Sequence, residues 1–197
     1  MSKEVVVFDT EFTAWRGSME RGWHGPGEFR EIVQIGAVRI DATTLAETAS
    51  FSVLIRPIVN PILSDYFVAL TRITNERMAG EGVDFAAGTS AFASFVGSRR
   101  MFCYGRDDRI IAANAERLRK PELWTNTTAV NLRQWLVEVG IALAGVSSGA
   151  LAKHVGSVSQ GIAHDALVDA RSLAEAVRYL VKRGAPNPLG GDTGSAR

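Results

Sequence analysis

Val5-Val6-Val7-Phe8 is the first unbroken apolar run of the chain, and it ends in acid at Asp9 and Glu11. A run so short and so rich in β-branched residues predicts a strand buried on both faces. Between residues 13 and 31 the pattern dissolves: Gly17, Gly22, Gly25, Pro26 and Gly27 fall within 19 residues. That density of breakers predicts a long surface loop, and loops of this length tend to be functional. Apolar patterning resumes over 32–40 and again over 51–55, two further strands joined by a polar turn at 41–44. Three strands in succession predict a meander at one side of a sheet.

The pattern then changes period. Pro57 and Pro61 bracket an extended connection, and Ser64-Asp65 reads as a helix start before a short helix over 66–70. Phe85, Phe92, Phe95 and Val96 fall at helical spacing around 86–96, and Met101 to Tyr104 is a fourth buried strand closed by Gly105. Helices are predicted over 109–118 and 132–139, with a fifth strand over 127–131 between them. The clearest helix runs over 166–182, where Leu167, Ala170, Leu173, Ala174, Val177, Leu180 and Val181 share one face. From 184 to 197, six of 14 residues are Gly or Pro and almost nothing is available to bury. The expectation is one domain over 1–183, followed by a disordered tail over 184–197. Strands first, then strands alternating with helices, make an α/β domain with a mixed sheet.

Charge and composition narrow the classes. With 22 Lys plus Arg against 21 Asp plus Glu, the formal net charge is +1, which argues against a sequence-independent binder built on excess basic charge. The balance is local rather than uniform. Residues 99–120 hold seven basic residues against three acids, a net of +4 that suits a phosphate backbone, although Arg117, Arg119 and Lys120 fit a solvated helix face equally well. Cys103 is the single cysteine, so neither a disulfide nor a Cys-based zinc site is expected. The first residues lack a secretory pattern and no apolar run reaches membrane-spanning length, so a cytoplasmic protein without a membrane partner is expected.

Acids and a histidine stand where strands end and helices begin. Asp9 and Glu11 are two apart on a strand, so both leave the same face and can converge on one cation. Asp107-Asp108 follows the fourth strand, and His164 and Asp169 open the last helix. Five residues put two helical side chains about 140° apart, so His164 joins Asp169 only if it lies in the approach to the helix. Oxygen donors without cysteine favour Mg²⁺ or Mn²⁺ over zinc.

In this order, FDTEF (Phe8 to Phe12), an Asp after the fourth strand and HDALVDA (His164 to Ala170) resemble the DEDDh 3′–5′ exonucleases of the DnaQ-like, ribonuclease H-like superfamily. Arg56-Pro57, Asn60-Pro61-Ile62-Leu63-Ser64-Asp65-Tyr66 and Leu70-Thr71-Arg72-Ile73 are similar to the RP…NP-x-LSDY…LT-x-I segment of the histone-mRNA and RNA-interference-related exonucleases and their KapD-like bacterial relatives. The resemblance implies a ribonuclease H-like α/β fold, a mixed five-stranded sheet flanked by helices. It also implies two divalent ions, Mg²⁺ or Mn²⁺, about 3.5–4 Å apart. Asp9 would bridge them, Glu11 and Asp169 would hold the ion that binds the attacking water, and Asp108 the other, with His164 as general base. Either Asp107 or Asp108 can fill the second-motif position; Gly105 three residues before and Arg109 just after favour Asp108. Phe12 and Thr13 would meet the terminal nucleotide, and Leu70 and Ile73 would pack near its base or sugar, unless those two are simply core residues. The loop tryptophans Trp15 and Trp23 would either stack on bases or staple the loop to the body. The implied partner is the 3′ end of single-stranded or overhanging RNA or DNA, and the product a nucleoside 5′-monophosphate. An oligoribonuclease-like or proofreading-type nuclease is the nearest rival, and a nonhydrolytic nucleic-acid-binding module the more distant one.

Overall fold

The computed structural model describes residues 3–125, 128–158 and 161–190. Strand β1, Glu4–Phe12, is the centre of the sheet. Val5 and Val7 face one core and Val6 and Phe8 the other, each with no exposed surface, as the unbroken apolar run requires. Strands β2 (Ile32–Asp41) and β3 (Glu47–Leu54) add antiparallel on one side, so the meander is present. Strands β4 (Met101–Cys103) and β5 (Ala129–Asn131) add parallel on the other, giving the order β3-β2-β1-β4-β5.

Helices cover both faces. Helix α1 spans Asp65–Thr71, α2 Asn75–Glu81, α3 Phe85–Val96, α4 Asp107–Arg117, α5 Arg133–Glu138, α6 Leu151–His154 and α7 Ala166–Val181. Leu173, Ala174, Ala176 and Val177 of α7 join Val5, Val7, Val38 and Leu136 in one core. Phe92 of α3 and Ile111 of α4 join Val6, Phe8, Ile35 and Trp124 in the other, with Phe92 stacked at 5.6 Å on Trp124. A third, smaller core under α1 and α2 gathers Val33, Leu54, Leu63, Phe67, Ile73 and Met78.

Three features depart from the sequence expectation, one of them the single-turn helix α6 over Leu151–His154, where none is predicted. Helix α2 lies where none is predicted: NERMAGE buries only Met78, so it has no apolar stripe, and its start rests on the Thr74 hydroxyl accepting from Arg77 N–H. The expected tail is also wrong for residues 184–190. Leu189 is 1% exposed within the α7 core, Asn187 donates to the Ala42 carbonyl, and Trp135 Nε1 donates to the Pro186 carbonyl. One leucine and three hydrogen bonds dock a segment whose composition alone looks unfoldable, Arg100 supplying the third to the Leu189 carbonyl. Residues 191–197 lie outside the described part, as do residue 127 of the predicted fifth strand and residues 126, 159 and 160.

One glycine decides how closely α7 approaches the sheet. Gly36 pairs with Asp9 across β1 and β2, and a Cβ there would stand 2.0 Å from Leu167 N and 2.2 Å from the Ala166 carbonyl carbon. Both are backbone atoms at the α7 start, which cannot turn away. Gly36→Ala should therefore destabilise the fold by about 1–3 kcal/mol or more in urea unfolding. Gly80, in the last turn of α2 with open space around it, is the contrasting site: Gly80→Ala should stabilise by a few tenths up to about 1 kcal/mol.

Candidate active site

Asp9 and Glu11 leave the α7 side of β1 in strand alternation, and Thr10 leaves the opposite side. The Thr10 hydroxyl donates to Asp107 Oδ1 at 2.6 Å, which fixes that carboxylate at the α4 start beside the end of β1. Helix α7 brings the last acid. Its first turn is locked by three groups: Asp165 caps it by accepting from Leu167 and Val168 N–H, Gln34 Oε1 accepts from Ala166 N–H, and Gln34 Nε2 donates to Asp165 Oδ2. Asp169 is thereby held one turn inside, 2% exposed.

His164 precedes the helix in a left-handed conformation, φ 68°. Few non-glycine residues adopt it, and the bend resolves the five-residue spacing that a continuous helix would not satisfy. The His164 backbone N–H donates to Asp169 Oδ1 at 3.2 Å, and ligand atoms of Glu11, His164 and Asp169 all lie within 4.8 Å of one another. Asp9, Glu11, Asp107, His164 and Asp169 line one pocket of about 340 Å³.

Four of these groups are acids at 9% exposure or less, and among the described residues none is in a salt bridge. Burial pushes the Asp9 carboxyl well above its usual range, and the charges of Asp107, Asp169 and Glu11 push it further. Glu11 is raised in the same way, by burial and then by Asp169 and Asp107. Asp107 is raised by burial against the Thr10 bond, and Asp169 is raised to about 6, mainly by burial, with the His164 N–H and Ser148 hydroxyl opposing. Such a set needs protons or cations to stay together. Its donors, carboxylate oxygens with one imidazole and no thiolate, fit Mg²⁺ or Mn²⁺. His164 moves the other way: burial, then the Arg72 charge, lower its pKa and favour the neutral ring.

The expected second-motif residue, Asp108, is not the one the structure brings to the pocket. Asp107, not Asp108, enters the acidic group; Asp108 points its Oδ2 at Ala129 N–H on β5 and its Oδ1 towards Arg106 Nε at 3.6 Å. Consecutive residues at a helix start diverge by about 100°, so only one can face the strand end. Two residues expected at the nucleotide, Thr13 and Ile73, do not line the pocket. Ile73 is 1% exposed in the third core, and the Thr13 hydroxyl is spent at the loop base, donating to the Phe29 carbonyl and accepting from Glu31 N–H. Phe12 and Leu70 do line the pocket, together with Trp15 and Tyr66. Trp23 acts as a staple: Nε1 donates to the Thr13 carbonyl and its ring meets Phe12 edge-on at 5.4 Å.

The segment around Asn60 and Ser64 proves architectural. Glu31 accepts from Ile58, Val59 and Asn60 N–H, and the Ser64 hydroxyl both caps α1 and donates to the Ala14 carbonyl. Sequence reasoning missed Ser148, which touches Asp9 and donates to Asp169 Oδ2 at 3.3 Å, and Gly149, where a Cβ would stand 2.3 Å from Asp169 Oδ1. A Ser-Ser-Gly run carries no signal of its own; only the approach of the 148–150 turn to α7 gives it a role.

A mixed five-stranded sheet with buried acids at the ends of β1, α4 and α7 defines an α/β protein whose acidic cluster has donors suited to a hard cation. The chain belongs to the exonuclease family RNase_T, which it matches over residues 6–177. Its fold is that of the nuclease domain of 3′hExo, a DEDDh family member bound to rAMP, at TM-score 0.76 and 19% identity over 93% of this chain and 94% of that one. A 3′-exonuclease recognising the histone mRNA stem-loop matches at TM-score 0.76 and 18% identity, over 93% and 84% of the two chains. The E. coli exonuclease I complex with single-stranded DNA matches at TM-score 0.68 and 17% identity; there 93% of this chain spans 41% of the other. No curated protein matches the chain significantly. No described helix is long and apolar enough to cross a membrane.

A carboxyl with a higher pKa folded than unfolded takes up protons on folding, so stability falls as pH rises through that interval. For Asp169 the interval runs from roughly 4 unfolded to about 6 folded. Protein in EDTA should therefore melt at a lower temperature at pH 7 than at pH 5.5 through these groups. Asp9→Asn, which removes one charge from the cluster, should raise the pH 7 melting temperature in EDTA by about 2–4 °C and blunt the stabilisation that Mn²⁺ gives the wild type.

Proposed function

We propose that the protein is a divalent-metal-dependent 3′–5′ exonuclease that removes nucleoside 5′-monophosphates from single-stranded or 3′-overhanging RNA or DNA. The observation that carries the proposal is the meeting of four buried, unpaired acids with a neutral-favoured histidine in one solvent-open pocket. Membership of the exonuclease family supports it, as do fold relatives described as bound to rAMP, to a histone mRNA stem-loop and to single-stranded DNA.

Asp9, Glu11, Asp107 and Asp169 would hold two cations, with Asp107 taking the place the sequence assigned to Asp108. The cations, when bound, neutralise the scissile phosphate and the charge building on the leaving 3′ oxygen. The remaining work falls to this chain's own groups. His164 accepts the proton of the attacking water, a role that requires the neutral ring its burial and Arg72 favour. Ser148 and the His164 N–H hold the Asp169 carboxylate in one orientation. Phe12 and Leu70 offer the apolar walls against which a terminal base and sugar pack.

A 5′-labelled single strand, RNA or DNA, should shorten as a ladder from its 3′ end with Mg²⁺ or Mn²⁺ and stay intact in EDTA; one internal cut would overturn the assignment. Asp107→Asn should lower kcat about 10²–10³-fold, whereas Asp108→Asn should stay within a few-fold of wild type. The pH–rate profile tests the base. Because Arg72 opposes the imidazolium, Arg72→Gln should move the acidic limb of kcat upward in pH at saturating metal.

A further inference from the structure

Beyond the acidic pocket lies a second hollow of about 830 Å³, continuous with it through Phe12, Trp23, Tyr104 and Arg106, which border both. Four arginines line it: Arg30 from the loop, Arg106 and Arg109 at the α4 start, and Arg133 at the α5 start. Two lie on aromatic rings, Arg30 over Trp23 at 4.2 Å and Arg133 over Tyr104 at 4.6 Å. Stacking holds a guanidinium plane in place while its N–H edge stays available, the geometry that suits phosphate oxygens.

The positive charge is largely uncompensated. Among the described residues the Arg109 side chain has no ion pair or hydrogen bond, and Arg30 Nε is buried without a hydrogen-bond partner. Of the acids in reach, Glu28 pairs with Arg21, while Asp108, accepting from β5, lies 3.6 Å from Arg106 and offsets that one arginine, leaving Arg30, Arg109 and Arg133 without an acid partner among the described residues. Three separate chain segments thus place cations along a groove that opens into an acid centre.

We infer that this groove holds the sugar-phosphate backbone of the strand upstream of the terminal nucleotide, so the 13–31 loop is one wall of a polynucleotide subsite. The inference rests on the exonuclease reading and adds a length preference to it. A dinucleotide fills the acidic pocket alone, whereas a longer single strand also engages the arginines. Arg109 and Arg133 line the groove and not the acidic pocket, so they act on grip and not on the chemical step.

The test uses the full chain, Arg109→Gln and the Arg109→Gln/Arg133→Gln pair, with a 5′-fluorescein single-stranded decamer and a dinucleotide. Anisotropy in EDTA across a KCl series reads binding, and hydrolysis with Mn²⁺ reads turnover. For the pair, decamer affinity should fall about tenfold, and the slope of log K against log salt should shrink by about 0.7 for each phosphate no longer neutralised. KM on the decamer should rise in step, with kcat and dinucleotide kcat/KM unchanged. Arg109 is exposed, so its single substitution gives the smaller version of the same effect even if the pair folds poorly. Unchanged decamer affinity, equal loss on both substrates, or a wild type that does not bind the decamer overturns the groove. Wild-type hydrolysis with arginine-independent affinity leaves the exonuclease reading standing without the groove. Arginine-dependent decamer binding with no hydrolysis supports the groove and sinks the exonuclease reading.

Discussion

Four largely buried carboxylates line one pocket without a basic partner, and the rest of the structure is arranged around that repulsion. Charges of one sign in a low-dielectric site oppose the fold that gathers them. They stay together because three separate elements fix them: Asp9 and Glu11 by the central strand, Asp107 by a helix start beside it, and Asp169 by a helix crossing the sheet. Acids held together in this way gain by taking up protons or cations, whereas acids free to relax apart would gain less.

The scaffold resists that relaxation with polar contacts of small individual size. Gln34 ties β2 to the first turn of α7, Asp165 caps the helix, and Ser148 bridges Asp9 and Asp169. Glycine permits the close approach in two places, with Gly36 under the α7 start and Gly149 against the Asp169 carboxylate. The bend at His164 belongs to the same arrangement. A left-handed residue ahead of the helix turns the imidazole towards Glu11 and Asp169, which a straight helical run would carry away from each other. Strain at a site residue is tolerable because the cap and the Gln34 contacts hold both sides of the bend.

The loop over 13–31 is at once part of the body and a wall of both hollows. Trp23 closes it through the Thr13 carbonyl and Glu31 anchors the turn at 58–60, so the loop is part of the body rather than a free lid. Its inner side nevertheless supplies Trp15 and Trp23 to the acidic pocket and Arg30 to the adjoining groove. A near-neutral total charge is compatible with this division, because four acids gather in one hollow and four arginines line the next.

Periodicity and residue order were enough to place every strand, the helices with an apolar face, and four of the five groups in the acidic pocket: Asp9, Glu11, His164 and Asp169. Alternation along Val5 to Glu11 is a local property, so both the buried strand and the common face of its acids were legible from the residues alone. Helix α2 was not, since a helix with one buried residue has no period to read. Nor was the docking of Leu189, which depends on a cavity built by distant residues. The choice between Asp107 and Asp108 lay beyond local pattern for a similar reason. Both stand at the same helix start, and the Thr10 hydroxyl on the neighbouring strand, 97 residues earlier, holds the one that faces the acidic pocket. Sequence by itself determined the chemistry of the groups, because side-chain identity and period are local. Tertiary structure alone decided which groups meet, because distances between elements are set by packing across the sheet.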